Sequence, residues 1–308
     1  MVDHPNIIPK TATPSPQDFY AAFEARAKEG QDIICICIST KLSSSVQSAE
    51  IAAQMLKEKY PDIRVVVLDS LCATLMQAVY VLEVCRMRDA GYSLDHTVEM
   101  IKRLGKTARI LFTVGDLHYL QKGGRIGKVT SIAGNLLNVK PLITLQDGEI
   151  HSSGIRRGRR KSLNGIIDLL INYCKDYNCA PTDCNIIIGY CHDYEEAVRF
   201  QKLTEERLCE TFGNQISVPL CPIGATIGVH AGPYSIGYGV IQRSDFITQD
   251  DHHAKNDPIP AKYLKIVSLY VIHQKPNDKH RNNKCNQHAN NQYGRFHSCK
   301  GQSKFQYF

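Results

Sequence analysis

A run of hydroxyl side chains follows the most apolar segment of the chain. Residues 33–38 (IICICI) are all apolar, which predicts a strand buried on both faces. Residues 39–45 (STKLSSS) follow, and apolar residues then recur at helical spacing from Val46 to Leu56. A turn between a buried strand and a helix presents unpaired backbone N–H groups and the positive end of the helix dipole, which favours binding of a carboxylate or phosphate. The alternative is that one serine only caps the helix.

Two further polar side chains lie in segments with unusual backbones. Thr11 precedes Pro14 and Pro16, which predict a stiff extended loop. His230 lies in the glycine-rich segment 224–234 (GATIGVHAGPY), where glycines allow a backbone to approach a ligand closely. A lone histidine is more often structural than functional, so both interpretations of His230 remain open.

The basic segments do not form a nucleotide loop. The segment KGGRIGK at 122–128 has Lys where a phosphate loop needs its first Gly, and Val129 where it needs Ser or Thr, so we reject that function. The segment 156–161 (RRGRRK) precedes a predicted helix. It is either a solvated charged surface or a docking site for an acidic or phosphorylated partner.

The twelve cysteines show no common metal-binding spacing. Cys174, Cys179, Cys184 and Cys191 come nearest to a cluster, and we interpret them as reduced cysteines of a cytoplasmic protein, with no metal. The first ten residues do not resemble a signal peptide, and no apolar run approaches the ~20 residues of a membrane span.

The net charge of +7 is concentrated near the end of the chain. Residues 245–308 hold eight Lys and two Arg against five Asp and no Glu, which leaves only about +2 for residues 1–244. A nearly neutral main body argues against a nucleic-acid-binding protein. The same tail is rich in Asn, His, Gln and Lys, so we expect it to be mostly disordered, with one short strand or helix in the apolar patch 263–272.

The order of the predicted elements indicates an α/β protein with two domains. Two buried strands (33–38 and 62–70) joined by one helix form a βαβ unit, which implies a parallel sheet. A strand at 108–114 begins a second unit, Asp147-Gly148 marks a hairpin turn, and further strands are predicted at 185–190 and 216–220. We therefore predict an N-terminal domain at 1–106, a second α/β domain at 107–244 and an atypical tail at 245–308.

The motifs of this chain resemble those of the DegV family, the fatty-acid-binding subunits of bacterial fatty acid kinases. The resemblance covers residues 8–242, and its most specific part is the run at 112–127. The matching segments are TATPSPQDF (11–19), ICISTKLSSSVQSA (36–49), VLDS (67–70), FTVGDLHYLQKGGRIG (112–127), LLNVKPLI (136–143) and GVHAGPYSIG (228–237).

The resemblance implies a ligand and a partner. Family members have a parallel Rossmann-like domain and a second α/β domain, with a long-chain fatty acid in a tunnel between them. The positions that meet its carboxylate correspond here to Thr11 and Ser43, with Ser44 and His230 at the same end. The resemblance further implies that the protein is not an enzyme, and that it needs no cofactor beyond the bound fatty acid. It would hold that acid for phosphorylation by a separate kinase subunit.

The resemblance also assigns a partner surface and shows departures from the family pattern. Arg125, Arg156, Arg157 and Arg159 are candidates for contact with the kinase or a phosphorylated group, and transient contact with a membrane surface fits a lipid carrier. The family pattern has glycine at positions 44 and 234, where this chain has Ser44 and Tyr234. The family's first strand, with a DSTADLP-like motif, has no counterpart before Thr11, so we expect the first sheet to have an open edge.

Two other functions remain as alternatives. One is an enzyme that acts on a small carboxylated or phosphorylated metabolite at the same helix N-terminus, although no convincing general base, metal set or nucleotide loop accompanies Ser43. The other is a nucleic-acid-binding regulator that uses the basic segment 156–161, although the segment lacks interleaved aromatic residues.

Overall fold

The protein is a mixed α/β structure built on two sheets. The structure is a computed structural model, and it describes residues 1–3, 8–132, 138–244 and, for the backbone alone, 264–267. Its strands are β1 (Asp32–Cys37), β2 (Val65–Asp69), β3 (Arg109–Thr113), β4 (Val139–Gln146), β5 (Glu149–Arg157), β6 (Cys184–Tyr190), β7 (Leu220–Pro222), β8 (Ile236–Gln242) and β9 (Leu264–Val267).

The helices begin where the sequence provides capping groups. Ser15 and Asp18 form the predicted capping box at the start of the first helix, and the Ser93 hydroxyl caps the fourth by accepting from the His96 N–H. The helices are α1 (Pro16–Ala27), α2 (Ser45–Lys59), α3 (Thr74–Asp89), α4 (Leu94–Gly105), α5 (His118–Lys122), α6 (Arg159–Asp176), α7 (Tyr194–Phe212) and α8 (Ala225–Ala231). Short 3-10 helices occupy Gly127–Ile132 and Pro181–Asp183.

The first sheet is parallel, in the order β2-β1-β9. The pairing of β1 with β2 confirms the predicted βαβ unit. On its other side β1 pairs with β9, in register from Asp32 opposite Leu264 to Cys35 opposite Val267. A short strand from the apolar patch 263–272 thus covers β1, so the expected open edge is not at β1, and within the described residues this sheet ends at β2 and β9.

The second sheet is mixed, in the order β5-β4-β3-β8-β6-β7, and all its pairs are antiparallel except β6 with β7. The β4–β5 hairpin turns at Asp147 and Gly148, whose φ angles of 51° and 83° fit the predicted turn. The strand predicted at 216–220 is displaced to β7. Val218 is buried, and its N–H donates to the Glu205 carboxylate instead of to a strand.

The elements pack in five layers. Helices α1 and α2 cover one face of the first sheet with a core that includes Phe19, Phe23 and Leu56. Helices α3 and α4 lie between the two sheets, and α6 and α7 cover the far face of the second sheet. The residues that follow β1 reach the turn of the β4–β5 hairpin at the edge of this middle layer.

The domain boundaries stay a prediction. The boundary at 106/107 falls between α4 and β3, but residues Met1–Leu269 form one compact unit that contains both sheets. Apart from β9, the predicted tail 245–308 lies outside the described residues. Among the helices of the described residues, none is both long and apolar enough to cross a membrane.

Candidate functional site

The turn between β1 and α2 is held against both sheets by its side chains. We call residues 39–45 the hydroxyl turn. The hydroxyl of Ser39, which is fully buried, donates to the Gly148 carbonyl of the β4–β5 hairpin over 2.9 Å. The Thr40 hydroxyl donates to the Asp69 carboxylate at the end of β2 over 2.6 Å. These bonds fix the turn at the carboxyl end of the parallel strands, where α/β proteins bind ligands.

The serines that precede α2 do not cap it. Ser44 is the residue before the helix, but its side chain makes no capping hydrogen bond. Its hydroxyl instead donates to the Thr13 hydroxyl over 3.1 Å. The Ser43 hydroxyl lies 2.9 Å from the Ser45 hydroxyl and 3.4 Å from that of Thr13. The interpretation that a serine only caps the helix is therefore not supported at Ser44.

The loop that carries Thr11 joins the hydroxyl turn to His230. The Thr11 hydroxyl lies 2.8 Å from His230 Nε2. Two residues later, Thr13 contacts Ser43 and Ser44 as described above. One short loop thus brings together the four residues that the sequence analysis assigned to the ligand. Sequence reasoning missed Thr13, because its role depends on contacts about 30 positions away along the chain.

His230 is half-buried and electrostatically disfavoured as a cation. Burial, and secondarily the positive charge of Arg125, lower its pKa below the ordinary value of 6.5. Within the described residues, no hydrogen-bond partner reaches its buried Nδ1 atom. The ring packs against Gly123, where a Cβ atom would lie 2.2 Å from Nδ1. The imidazole is therefore neutral at pH 7 and fits only because residue 123 has no side chain.

The lowered pKa of His230 makes stability depend on pH. In the unfolded chain the imidazole titrates near 6.5, and in the folded chain it titrates lower. As pH falls through 6.5 towards the folded pKa, the unfolded state takes up more protons, so the free energy of unfolding decreases. We expect His230→Asn to reduce this decrease. Urea unfolding of both proteins at about pH 7.5 and about pH 5.5 measures it, and equal decreases in the two would contradict the assignment.

Arg125 belongs to the same site. Its Nε donates to the Leu42 carbonyl of the hydroxyl turn over 3.1 Å, and its Nη1 donates to the Gly123 carbonyl over 2.6 Å. Arg125 thereby ties the hydroxyl turn to the end of α5, beside His230. It places a positive charge near the Thr11 and Ser43 hydroxyls, which favours an anionic ligand there.

With this geometry in place, comparison with known proteins identifies the family. The family model described as "Uncharacterised protein, DegV family" matches residues 2–243. The chain belongs to the DegV family. A DegV domain-containing protein of Clostridium acetobutylicum is 31% identical over 243 residues, which cover 79% of this chain and 81% of that protein. Another, from Deinococcus radiodurans, is 31% identical over 230 residues, or 75% and 77% of the two chains.

Solved structures of fatty-acid-binding proteins share the fold. A stearic-acid-binding protein from Eubacterium ventriosum has a TM-score of 0.74 and 36% identity, with 80% of this chain and 82% of that chain covered. The fatty-acid-binding DegV family protein of Thermus thermophilus has a TM-score of 0.66 and 28% identity, with 76% and 79% covered. The two structures confirm the predicted fold class.

The two departures from the DegV pattern have identifiable contacts. The Ser44 side chain donates a hydrogen bond to Thr13. Tyr234 is 45% exposed, and its Cβ lies 3.2 Å from where a Cβ would stand on Gly115. Its ring meets that of His192 edge to face, with centroids 6.1 Å apart. The contacts described for Ser44 and Tyr234 leave the hydrogen bond between Thr11 and His230 in place.

The basic segment divides into exposed and paired arginines. Arg156 and Arg157 are exposed on β5. Arg159 begins α6 and forms a two-pronged ion pair with Glu196 of α7, with its Nη2 donating over 2.6 Å. Arg156 and Arg157 therefore remain available for a partner, whereas the Arg159 guanidinium is engaged in holding two helices together.

Proposed function

We propose that this protein is a cytoplasmic carrier that binds a long-chain fatty acid, with the carboxylate at Thr11 and Ser43. The proposal rests on one observation: the loop that carries Thr11 and Thr13 forms side-chain hydrogen bonds to His230 through Thr11 and to the hydroxyl turn through Thr13. It is supported by the stearic-acid-binding protein of Eubacterium ventriosum, which has the same fold at 36% identity. The acyl chain would lie in an apolar tunnel between the two α/β parts, as the family resemblance implies.

The position of the ring hydrogen on His230 determines what Thr11 can offer to a carboxylate. A neutral imidazole carries one N–H. With that hydrogen on Nε2, His230 donates to the Thr11 oxygen, and the Thr11 hydroxyl hydrogen is free to donate to the ligand. Arg125 adds a positive charge nearby. Such a site recognises a carboxylate without transferring a proton to it.

The acyl chain and the carboxylate contribute differently to binding. Burial of each methylene contributes about 0.8 kcal/mol, so a long acyl chain supplies most of the favourable free energy. Each hydrogen bond to a charged carboxylate contributes only about 1.5–3 kcal/mol. The tunnel would therefore set affinity, while Thr11 and Ser43 would set the orientation of the carboxylate for a separate kinase subunit.

An enzyme acting on a small carboxylated or phosphorylated metabolite is the second candidate, because Thr11 and His230 are as close as a nucleophile and its base. A catalytic base of this kind is normally oriented by a third group on its other nitrogen. In the described part of the chain, Nδ1 of His230 has no such partner. The contacts therefore favour a carrier. A nucleic-acid-binding regulator would have to use the exposed Arg156 and Arg157, since Arg159 is paired with Glu196.

The proposed division of roles predicts a split effect for Ser43→Ala. We expect fatty-acid binding to weaken by about tenfold to a hundredfold, because one hydrogen bond to the carboxylate is lost. Phosphorylation of the bound acid by a cognate kinase subunit should fall more, because the carboxylate is no longer held in place. The binding constant and the phosphorylation rate are measured on the same preparations.

Ser48→Ala is a suitable control because Ser48 is a partly buried serine of α2 that lies outside the hydroxyl turn. It should change neither quantity. Equal losses of binding and phosphorylation in Ser43→Ala would argue against a positioning role for Ser43. Failure of the wild-type protein to bind any long-chain fatty acid would overturn the carrier function itself.

A further inference from the structure

Three buried cysteines converge at one end of the second sheet. Cys174 lies in the last turn of α6, Cys179 in the loop that follows, and Cys184 begins β6. Their sulfur atoms all lie within 4.8 Å of one another, and those of Cys179 and Cys184 are 3.4 Å apart. All three residues are at most 8% exposed. In the sequence these cysteines came nearest to a cluster, but their gaps of four and four residues fit no common metal-binding pattern.

The backbone around the three sulfurs is well fixed. The Cys179 N–H donates to the Cys174 carbonyl over 3.0 Å. The Asp183 carboxylate accepts from the Ala180 N–H over 2.8 Å, and the Asp183 N–H donates back to the Ala180 carbonyl. Cys184 then enters β6. The loop therefore holds its two cysteines in place against the helix, as a preformed ligand site requires.

The three side chains are of the type that a soft metal ion needs. A cysteine binds a metal ion as its thiolate. Three sulfurs that already lie within 4.8 Å of one another can therefore bind one ion together once their protons are lost.

We propose that Cys174, Cys179 and Cys184 form a three-sulfur site for a soft cation, Cu(I) in particular. Metal–sulfur bonds of about 2.3 Å place three sulfurs about 4 Å apart around one ion, close to the present spacing. Thiolates select soft ions. Within the described residues the group contains no fourth His, Cys, Asp or Glu ligand, and structural Zn²⁺ sites are almost always four-coordinate.

Binding of Cu(I) exchanges protons for the metal ion and needs no oxidant or reductant. Cu(I) enters, up to three S–H protons leave, and three Cu–S bonds form with no change in oxidation state. Binding should therefore strengthen as pH rises. A competing outcome is a disulfide between Cys179 and Cys184, whose sulfurs lie 3.4 Å apart. That outcome requires an oxidant and consumes two of the three ligands.

The test uses the full chain, reduced and under anaerobic conditions. Cu(I) is titrated into the protein against a coloured Cu(I) chelator, and Zn²⁺ is titrated in parallel. We expect one tightly bound Cu(I) per chain, with at least about tenfold tighter binding of Cu(I) than of Zn²⁺. Loss of a residue that only supports a metal ligand typically weakens metal binding about 10–100-fold. Cys179→Ser removes a ligand itself, so it should weaken Cu(I) binding by more than this. Cys209→Ser, on α7 and outside the cluster, should bind as the wild type does.

A second readout needs no variant. Alkylation followed by peptide mass spectrometry should show that Cu(I) protects Cys174, Cys179 and Cys184 but leaves Cys209 reactive. Unchanged Cu(I) affinity in Cys179→Ser, equal protection of all cysteines, or preferential Zn²⁺ binding would overturn the proposal. A Cys179–Cys184 disulfide that persists in reductant would overturn it as well.

Discussion

Gly237→Ala is expected to destabilise the protein by more than about 3 kcal/mol, a large part of the about 5–15 kcal/mol that a domain has in total. Gly237 lies in β8, between β3 and β6. A Cβ there would lie 2.2 Å from the Leu111 carbonyl oxygen and 2.6 Å from the Phe112 Cα. Both are backbone atoms of β3, so no side-chain rotation relieves the clash. Strand β8 would have to move away from β3, which disrupts the middle of the second sheet.

Gly239→Ala is the matched control in the same strand. Its Cβ would stand 3.3 Å from the nearest atoms, on Ile187 and Met76, which small shifts can accommodate. We expect a loss of about 1 kcal/mol, the centre of the distribution for point mutants. Urea unfolding of the three proteins measures the differences. If both alanine variants lose the same stability, the close approach of β8 to β3 is not as described.

Gly123→Ala is expected to abolish the Thr11–His230 hydrogen bond and to reduce fatty-acid affinity by about tenfold or more. The added methyl group would lie 2.2 Å from His230 Nδ1, so the ring must leave its place beside Thr11. Gly123 has a φ angle of −77°, which any residue adopts, so the backbone itself tolerates alanine. The effect should therefore appear in binding more than in folding.

A double variant tests whether His230 transmits this effect. Gly123→Ala combined with His230→Ala should bind no worse than His230→Ala alone, because the ring that the methyl group displaces is already absent. Gly124→Asn is the neighbouring control, since a Cβ there meets nothing within 4 Å and Asn tolerates its left-handed backbone. Calorimetric titration with a long-chain fatty acid measures the affinities of the wild type and the four variants. Additive losses in the double variant would show that His230 is not the contact through which Gly123 acts.

The sequence predicts the elements whose determinants are local. The apolar run at 33–38 predicts β1, the Ser15–Asp18 capping box predicts the start of α1, and Asp147-Gly148 predicts the hairpin. Each of these depends on neighbouring residues, so pattern and structure agree within a few positions. The same holds for the hydroxyl turn, because a buried strand followed by a helix fixes its place.

The parts that were missed depend on distant contacts. β8 lies in the middle of the second sheet, yet its sequence IGYGVIQ contains two glycines, which weaken any strand prediction. Gly237 is needed there because β3 approaches too closely for a side chain. The pairing of β9 with β1 joins segments more than 200 residues apart, and no local sequence feature predicts it. Thr13 was missed for the same reason, whereas the three cysteines are close in sequence and come together because the loop between α6 and β6 folds back on the helix.

The central claim is that this DegV protein recognises the carboxylate of a fatty acid through its hydroxyl and imidazole groups. The most direct measurement compares a long-chain fatty acid with its methyl ester, using lipid-stripped protein and calorimetric or native mass-spectrometric detection. The two ligands share the acyl chain and differ in the charged group that Thr11, Ser43 and Arg125 would meet. We expect one acid per chain, bound about tenfold or more tightly than the ester. Equal affinity for acid and ester would contradict the account.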